Sequence, residues 1–516
     1  MKKLLWAALI LFCLLLVAAL WQLRGSRTMN DPLTLASLVS DEIIFDSDGL
    51  VDYVAMLNTR LSRNINPDNN AFIDYARILG PLTLSPAEWS ELCQWLHVDP
   101  IRCDDPFVMS IQAGATSGPL SEQNAWTQIS MRPWTAAEFP HCARWLEENA
   151  RYVEGIRAAA KKPQFYCPLV SLPNPKSKQV RMMSITLEHQ CAFRELTRFM
   201  TAHAMFALAA GDTQEAVADL KTVHSFATQV TQGYCTVEKL VAIAYDTQAF
   251  LAAGQLLAHN AFSRQQADDY REYLHEHQLN LQLPDAVSTA ERYVSLDTVQ
   301  SVEKRGIEVL QEGVRSNSDS PLIERNLRWN LDWSTVARVL STEIDLIVEN
   351  LKLPEDAIRL SELKRIEEEL KPPFENWFDM IRLRWFAGPR ARGEAVGQIL
   401  ACLLMPHAPT IAAAEIRCRM QREIVDLGLA IAQYRLDNGR LPETLDLLVP
   451  KYMAEIPLDR FSQQPLIYRI YDDGFELISV GQDGKLDDDA SPESFRNVRL
   501  VARPYKSTSA VPAPNK

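Results

Sequence analysis

Residues 207–220 read ALAAGDTQEAVADL, and this stretch decides the fold. Gly211 can take the left-handed conformation that closes a helix. Asp212 or Thr213 can then cap the next helix. Small residues on either side let two helices approach closely. The stretch therefore predicts a helical pair across 187–230.

The same stretch looks like half of a tetratricopeptide repeat. One unit does not make a stable array, and no second copy follows at a fixed period. The expectation is a mainly α chain whose body is a non-repeating helical array. Working outward, Ser85-Pro86 signals a helix over 87–96. Thr135 with Glu138 fits a capping box for one helix over 135–160. Further helices are expected at 236–259, 263–277, 291–314, 322–351 and 354–370. A long amphipathic helix over 411–438 closes at Asn438-Gly439.

Beyond Gly439 the pattern becomes α+β. Pro442 opens a short helix through Leu448. Residues 465–471 alternate as a strand, Asp472-Asp473-Gly474 is a hairpin signal, and 475–480 return. An acidic loop follows over 481–489. The tail, 504–516, is polar and carries Pro and Ser. The domains expected are an anchor (1–27), a helical body (28–410), a small α+β domain (411–503) and the tail (504–516).

Several ordered segments carry a resemblance: 432–445 (AQYRLDNGRLPETL), 449–452, Ile456 to Asp459, 465–468 and 479–484 (SVGQDG). Together they resemble the periplasmic domain of type II secretion major pseudopilins. The family implies a long helix leading into a small sheet, and a calcium ion in the acidic loop. By that resemblance Asp483 and the Val480 carbonyl are ligands, completed by Asp487 or Asp489. Calcium wants six to eight hard oxygens, which such a loop can supply. Arg460 and Gln463-Gln464 depart from the family's pattern. So does the start of the chain, which has no processing site before its apolar helix. The whole chain looks like bacterial membrane-anchored proteins that carry such a domain behind a helical body.

Residues 4–21 are an unbroken apolar run of 18 without charge. Its eleven Leu, Ile, Phe and Val residues contribute roughly −5 kcal/mol to insertion. Lys2 and Lys3 precede it, and Trp6 and Trp21 sit near its ends. A cleaved signal would have a shorter core and a small-x-small site. The expectation is an uncleaved, single-pass inner-membrane anchor with the bulk of the chain extracytoplasmic.

The 516 residues carry 53 Lys and Arg against 66 Asp and Glu, a net charge of −13. That acidity argues against nucleic acid as a partner. Nine cysteines contain no C-x-x-C, so zinc ribbons and thioredoxin-like motifs lack their signature. Cys93 and Cys103 form the best local pair for a disulfide. No G-x-S-x-G elbow or Walker-type loop occurs. His275-Glu276-His277 has the wrong spacing for a helical zinc motif and reads as a solvated helix end. His141-Cys142, and His189 with Cys191, read as isolated side chains. Arg194, Glu195, Arg198 and Glu238 suggest an ion-pair network that stabilises the paired helices. Trp329 and Trp333 share one helix face, as core or as a partner groove, and Trp377, Trp385 and Phe386 continue the theme.

No catalytic residue and no cofactor other than structural calcium is predicted. The reading is a non-enzymatic, membrane-anchored envelope protein acting as an interaction or assembly scaffold. Its partners would belong to a secretion or pilus-like system. Two alternatives stay open: an extracytoplasmic hydrolase with a dispersed site in the helical body, and a module that binds an envelope polymer or peptide.

Overall fold

In the computed structural model the residues described are 28–29, 37–81, 84–110, 125–170, 182–185, 187–306, 331–370, 383, 387–404, 407–486 and 497–504. The apolar run of 4–21 lies outside them, as do Trp329, Trp377, Trp385 and Phe386. The chain is mainly helical, with one small antiparallel sheet near its C-terminus.

The helices are α1 (Tyr53–Leu61), α2 (Ala71–Leu79), α3 (Pro86–Trp95), α4 (Pro140–Asn149), α5 (Val153–Ala160), α6 (Glu188–Ala209), α7 (Thr213–Val230) and α8 (Thr236–Ala258). They continue as α9 (Arg264–Glu276), α10 (Leu283–Ala286), α11 (Arg292–Arg305), α12 (Trp333–Leu351), α13 (Asp356–Glu369), α14 (Pro389–Leu404) and α15 (Ala408–Asn438). The strands are β1 (Ile467–Tyr471), β2 (Gly474–Ser479) and β3 (Val498–Ala502), in the order β1-β2-β3.

Local signals position most of these ends. Between α6 and α7, Gly211 adopts φ +81°, and the Asp212 carboxylate accepts from the Glu215 N–H at 3.0 Å. Ser85 with Glu88, and Ser263 with Gln266, form complete capping boxes. Gly439 takes the left-handed conformation and ends α15.

One helix expected from sequence is two. Residues 135–139 form a turn, and α4 starts only at Pro140. Proline has no N–H to bond back into a preceding helical turn, so it opens a helix instead of continuing one. The Glu138 carboxylate goes to Arg132, not to a cap at Thr135. A 3-10 turn at Ala150–Tyr152 then separates α4 from α5.

The helices α6, α7 and α8 pack in succession, and α8 packs against α15. Strand β3 lies on both α8 and α15, so the sheet shares the main apolar core, which runs from α2 to β3. A second core joins α1, α11, α12 and α14. Trp333 packs against it. A third gathers α12, α13 and the start of α15.

Two stretches, Thr236–Ala258 and Pro389–Asn438, are long and apolar enough to cross a membrane by length and composition, a weak indication of membrane association. We read α8 as a core helix. It is covered by α6, α7, α15 and β3, and its Glu238, Lys239 and Asp246 are all buried against partners. All eight described cysteines are free thiols, Cys93 and Cys103 included.

Candidate functional site

The densest chemistry lies where α7 ends and α8 begins. Glu238 sits one turn into α8, and its carboxylate turns back on the chain. One oxygen accepts from the Tyr234 N–H at 2.6 Å and the Cys235 N–H at 3.3 Å. The other accepts from Gln190 Nε2 at 3.1 Å and faces His189 Nε2 at 3.3 Å. Gly233 makes this fit, because a Cβ there would occupy the carboxylate's space.

His189 and Glu238 are both buried. Burial opposes a charged imidazole, but Cys167 and the Glu238 carboxylate outweigh it and push His189 up to about 10. Burial likewise opposes the charge on Glu238, and His189 outweighs it and holds the carboxyl below its ordinary range. Both shifts favour an imidazolium facing a carboxylate. Cys167 and His189 line one apolar cavity with Phe72 and Trp89. Its volume is about 40 Å³, room for a water and little more.

Lys239 follows Glu238, and its side chain also reaches Gly233. Its Nζ donates to the carbonyls of Thr231 and Gly233, the latter at 2.8 Å. These carbonyls close α7, and a helix C-terminus carries partial negative charge that favours a cation. The side chain is buried, and burial pulls its pKa below the ordinary lysine value.

A cavity of about 330 Å³ opens over Lys239. Thr231 and Thr289 are buried at its floor, and Asn280, Gln282 and Asp285 are exposed at its mouth. Arg60 at the rim is held by Asp285 at 2.7 Å and Asp41 at 3.2 Å. Two backbone irregularities sit in this wall. Gln282 adopts φ 44°, ψ 45°, a left-handed conformation that a side chain opposes. A π-turn at Val287–Glu291 joins α10 to α11 and carries Thr289. Its Glu291 accepts from the Thr236 N–H at 3.1 Å and so caps α8 from outside.

A third cluster could chelate a metal ion of unspecified kind: His203, Glu215 and Asp219 bring their ligand atoms together. His203 Nδ1 lies 2.7 Å from Asp219, and the carboxylate outweighs burial to raise the imidazole pKa. Arg157 already donates to both acids, to Glu215 at 2.8 Å. A metal here competes with that guanidinium.

The deepest cluster is structural. His224 Nδ1 lies 2.5 Å from Asp246, and its Nε2 lies 2.8 Å from the Tyr270 hydroxyl. Arg422 approaches the second Asp246 oxygen at 3.3 Å, and Cys418 donates to it at 3.6 Å. His224 and Asp246 are fully enclosed, so no substrate reaches them. The cluster locks α7, α8, α9 and α15 together.

Of the residues singled out in the sequence, Glu195 and Arg198 pair at 2.7 Å and clamp Ser110 onto α6. Glu238 belongs to the separate His189 pair. His275 is exposed beside Asp426, and His277 stacks on Tyr273, so that motif is a solvated helix end. His141 is exposed and Cys142 is buried, each on α4. In the predicted calcium loop, the Val480 carbonyl accepts from Asn497 Nδ2 at 2.8 Å, and the same amide reaches the Lys485 carbonyl at 2.8 Å. Asp483 accepts from the Lys485 N–H at 3.1 Å. Asp487 and Asp489 lie outside the described residues.

Sequence reading missed Lys239, Gln282 and Cys167 among others, and it took His189 as isolated although it pairs with Glu238. Nothing local marks Lys239 except a cation one turn into an apolar helix. Compared with known families, with curated proteins and with solved structures, the chain finds no match.

Proposed function

We propose that this chain is a non-enzymatic envelope protein, held to the inner membrane by its first 27 residues, with its bulk extracytoplasmic. It acts as an interaction or assembly scaffold. Its C-terminal part, similar to a major pseudopilin, docks onto a secretion or pilus-like apparatus. Calcium, where it binds, is structural and steadies the loop of Val480, Asp483, Asp487 and Asp489.

One observation carries the docking reading. Eleven large apolar side chains stand exposed among the described residues, and six of them are Leu436, Leu447, Val449, Leu458, Ile470 and Leu486. These six fall within one stretch of sequence, 436–486, and exposed apolar patches mark contact with a partner. The sheet adds an open edge. Among the described residues β1 pairs only with β2, while α8 and α15 pack on β3. Such an edge accepts a further strand.

The test is crosslinking of the full-length protein in native membranes, followed by mass spectrometry, with Ile470→Lys as the comparison. Enrichment of pseudopilins by the natural chain and its loss in the variant is the expected result. Equal recovery of pseudopilins by both chains, or their absence from both, removes the docking role from this edge.

A further inference from the structure

The polar cavity over Lys239 plays no part in that docking surface. Its floor holds a cation 5% exposed to solvent. A buried ammonium is costly unless it is paired and hydrogen-bonded. Lys239 is hydrogen-bonded, but its partners are two neutral carbonyls. Among the described residues no carboxylate forms an ion pair with it. Glu238 and Asp285 favour its charge only through space; Glu238 is bonded to His189 and two backbone N–H groups, and Asp285 to Arg60.

An ammonium has three N–H groups. The carbonyls of Thr231 and Gly233 take two, no third acceptor bonds it among the described residues, and Lys239 lines the cavity. Two features of the wall point the same way. Holding a glutamine in the left-handed region costs about 1–3 kcal/mol, and such strain collects at binding sites. π-turns likewise recur at functional sites. Here both border one cavity, with Gln282 and Asn280 at its mouth and Thr289 on its floor. A volume of about 330 Å³ suits a small metabolite.

We infer that this cavity binds a small oxyanion, a carboxylate or a phosphate, with Lys239 as its buried counter-charge. The anionic group sits on the cavity side of Nζ, away from the carbonyls that close α7. The amides of Asn280 and Gln282 hold the remainder of the ligand at the mouth. Arg60, fixed by Asp41 and Asp285, shapes the rim and leaves the charge recognition to Lys239.

The experiment is isothermal titration of the full chain in detergent with three probes: inorganic phosphate, succinate and glucose. One-site binding of phosphate or succinate, and none of glucose, is expected. Phosphate alone identifies a phosphate ligand, and succinate alone a carboxylate. Lys239→Met should weaken the binding at least tenfold. Because Lys239 also closes α7, Thr289→Leu serves as the second variant. It takes up cavity space and leaves the lysine in place, and should weaken binding equally while the melting temperature holds. Failure of both anions to bind, equal binding of glucose, or anion binding unchanged in Thr289→Leu overturns the assignment.

Discussion

Leu500 of β3 lies directly over Gly428 of α15: a Cβ on that glycine would stand 2.5 Å from Leu500 Cδ2 and 3.0 Å from Leu257 Cδ1. On the facing helix, a Cβ on Gly254 of α8 would stand 3.1 Å from Leu500 Cδ1. The sheet is therefore seated by one leucine in a groove made by two glycines. Gly428→Ala forces both leucines to move within a packed core, which costs about 1–3 kcal/mol. Gly254→Ala meets only the end of one flexible side chain and should cost less. Urea unfolding of the two variants gives the order, and a Gly428→Ala chain as stable as the natural one would show that the sheet is not seated this way.

Asp246 is an enclosed carboxylate with three side-chain partners. It serves His224, Arg422 and Cys418 at once, with no solvent exposure. Removing it leaves a buried arginine and a histidine without their acid. Breaking a buried pair from one side typically costs about 3–5 kcal/mol. Asp246→Ala should therefore lower the melting temperature far more than Asp426→Ala, whose acid lies near the surface beside Arg271 and His275. Equal losses in thermal denaturation would mean that the enclosed cluster adds nothing beyond an ordinary surface pair.

Much of the fold was legible because its signals are local. Gly211-Asp212, Ser263 with Gln266, and Gly439 each act within one turn of the helix they end or begin. The misreading at Thr135 has the same origin: a capping box can be written in sequence and lose its glutamate to Arg132. The chemistry was not legible. His189 and Glu238 are separated by 49 positions and meet only because α6 and α8 pack. Lys239 looks like any helical lysine until α7 ends on top of it. Gln282 has nothing in its sequence that asks for a left-handed backbone. The spacing rules that find sites in sequence work within one helix or loop, and these sites lie between helices.

The His189–Glu238 pair makes a pH prediction whose sign follows from its folded pKa. Unfolded, the imidazole titrates near 6.5, and in the fold it is raised to about 10. The folded chain thus holds a proton across that interval that the unfolded chain has lost. The stability it contributes is full below about pH 6.5 and is lost as pH rises through about 10. Lys239, whose pKa is lowered, works in the opposite direction at the alkaline end, so the contribution must be isolated. The stability difference between the natural chain and His189→Gln does so. Measured by urea unfolding, it should shrink steadily from pH 6.5 to pH 10, and a difference that stays constant would mean that the ring is not held as an imidazolium.

The calcium loop can be tested on the intact protein. Asp459 already accepts from the Val480 N–H at 2.8 Å, and Asn497 ties the Val480 and Lys485 carbonyls together. The loop's base is therefore shaped without an ion, and calcium would act on its acidic tip. A ligand that binds only the folded state stabilises it by about 2.7 kcal/mol at a hundred times its Kd. Calcium should raise the melting temperature of the natural chain, magnesium should do so less, and Asp483→Ala should abolish the calcium shift. Asp459→Ala should instead lower the melting temperature with or without calcium, because it removes a bond that the loop's base makes by itself. A calcium shift that survives Asp483→Ala would take that residue out of the ligand set and with it the pseudopilin-like reading of the loop.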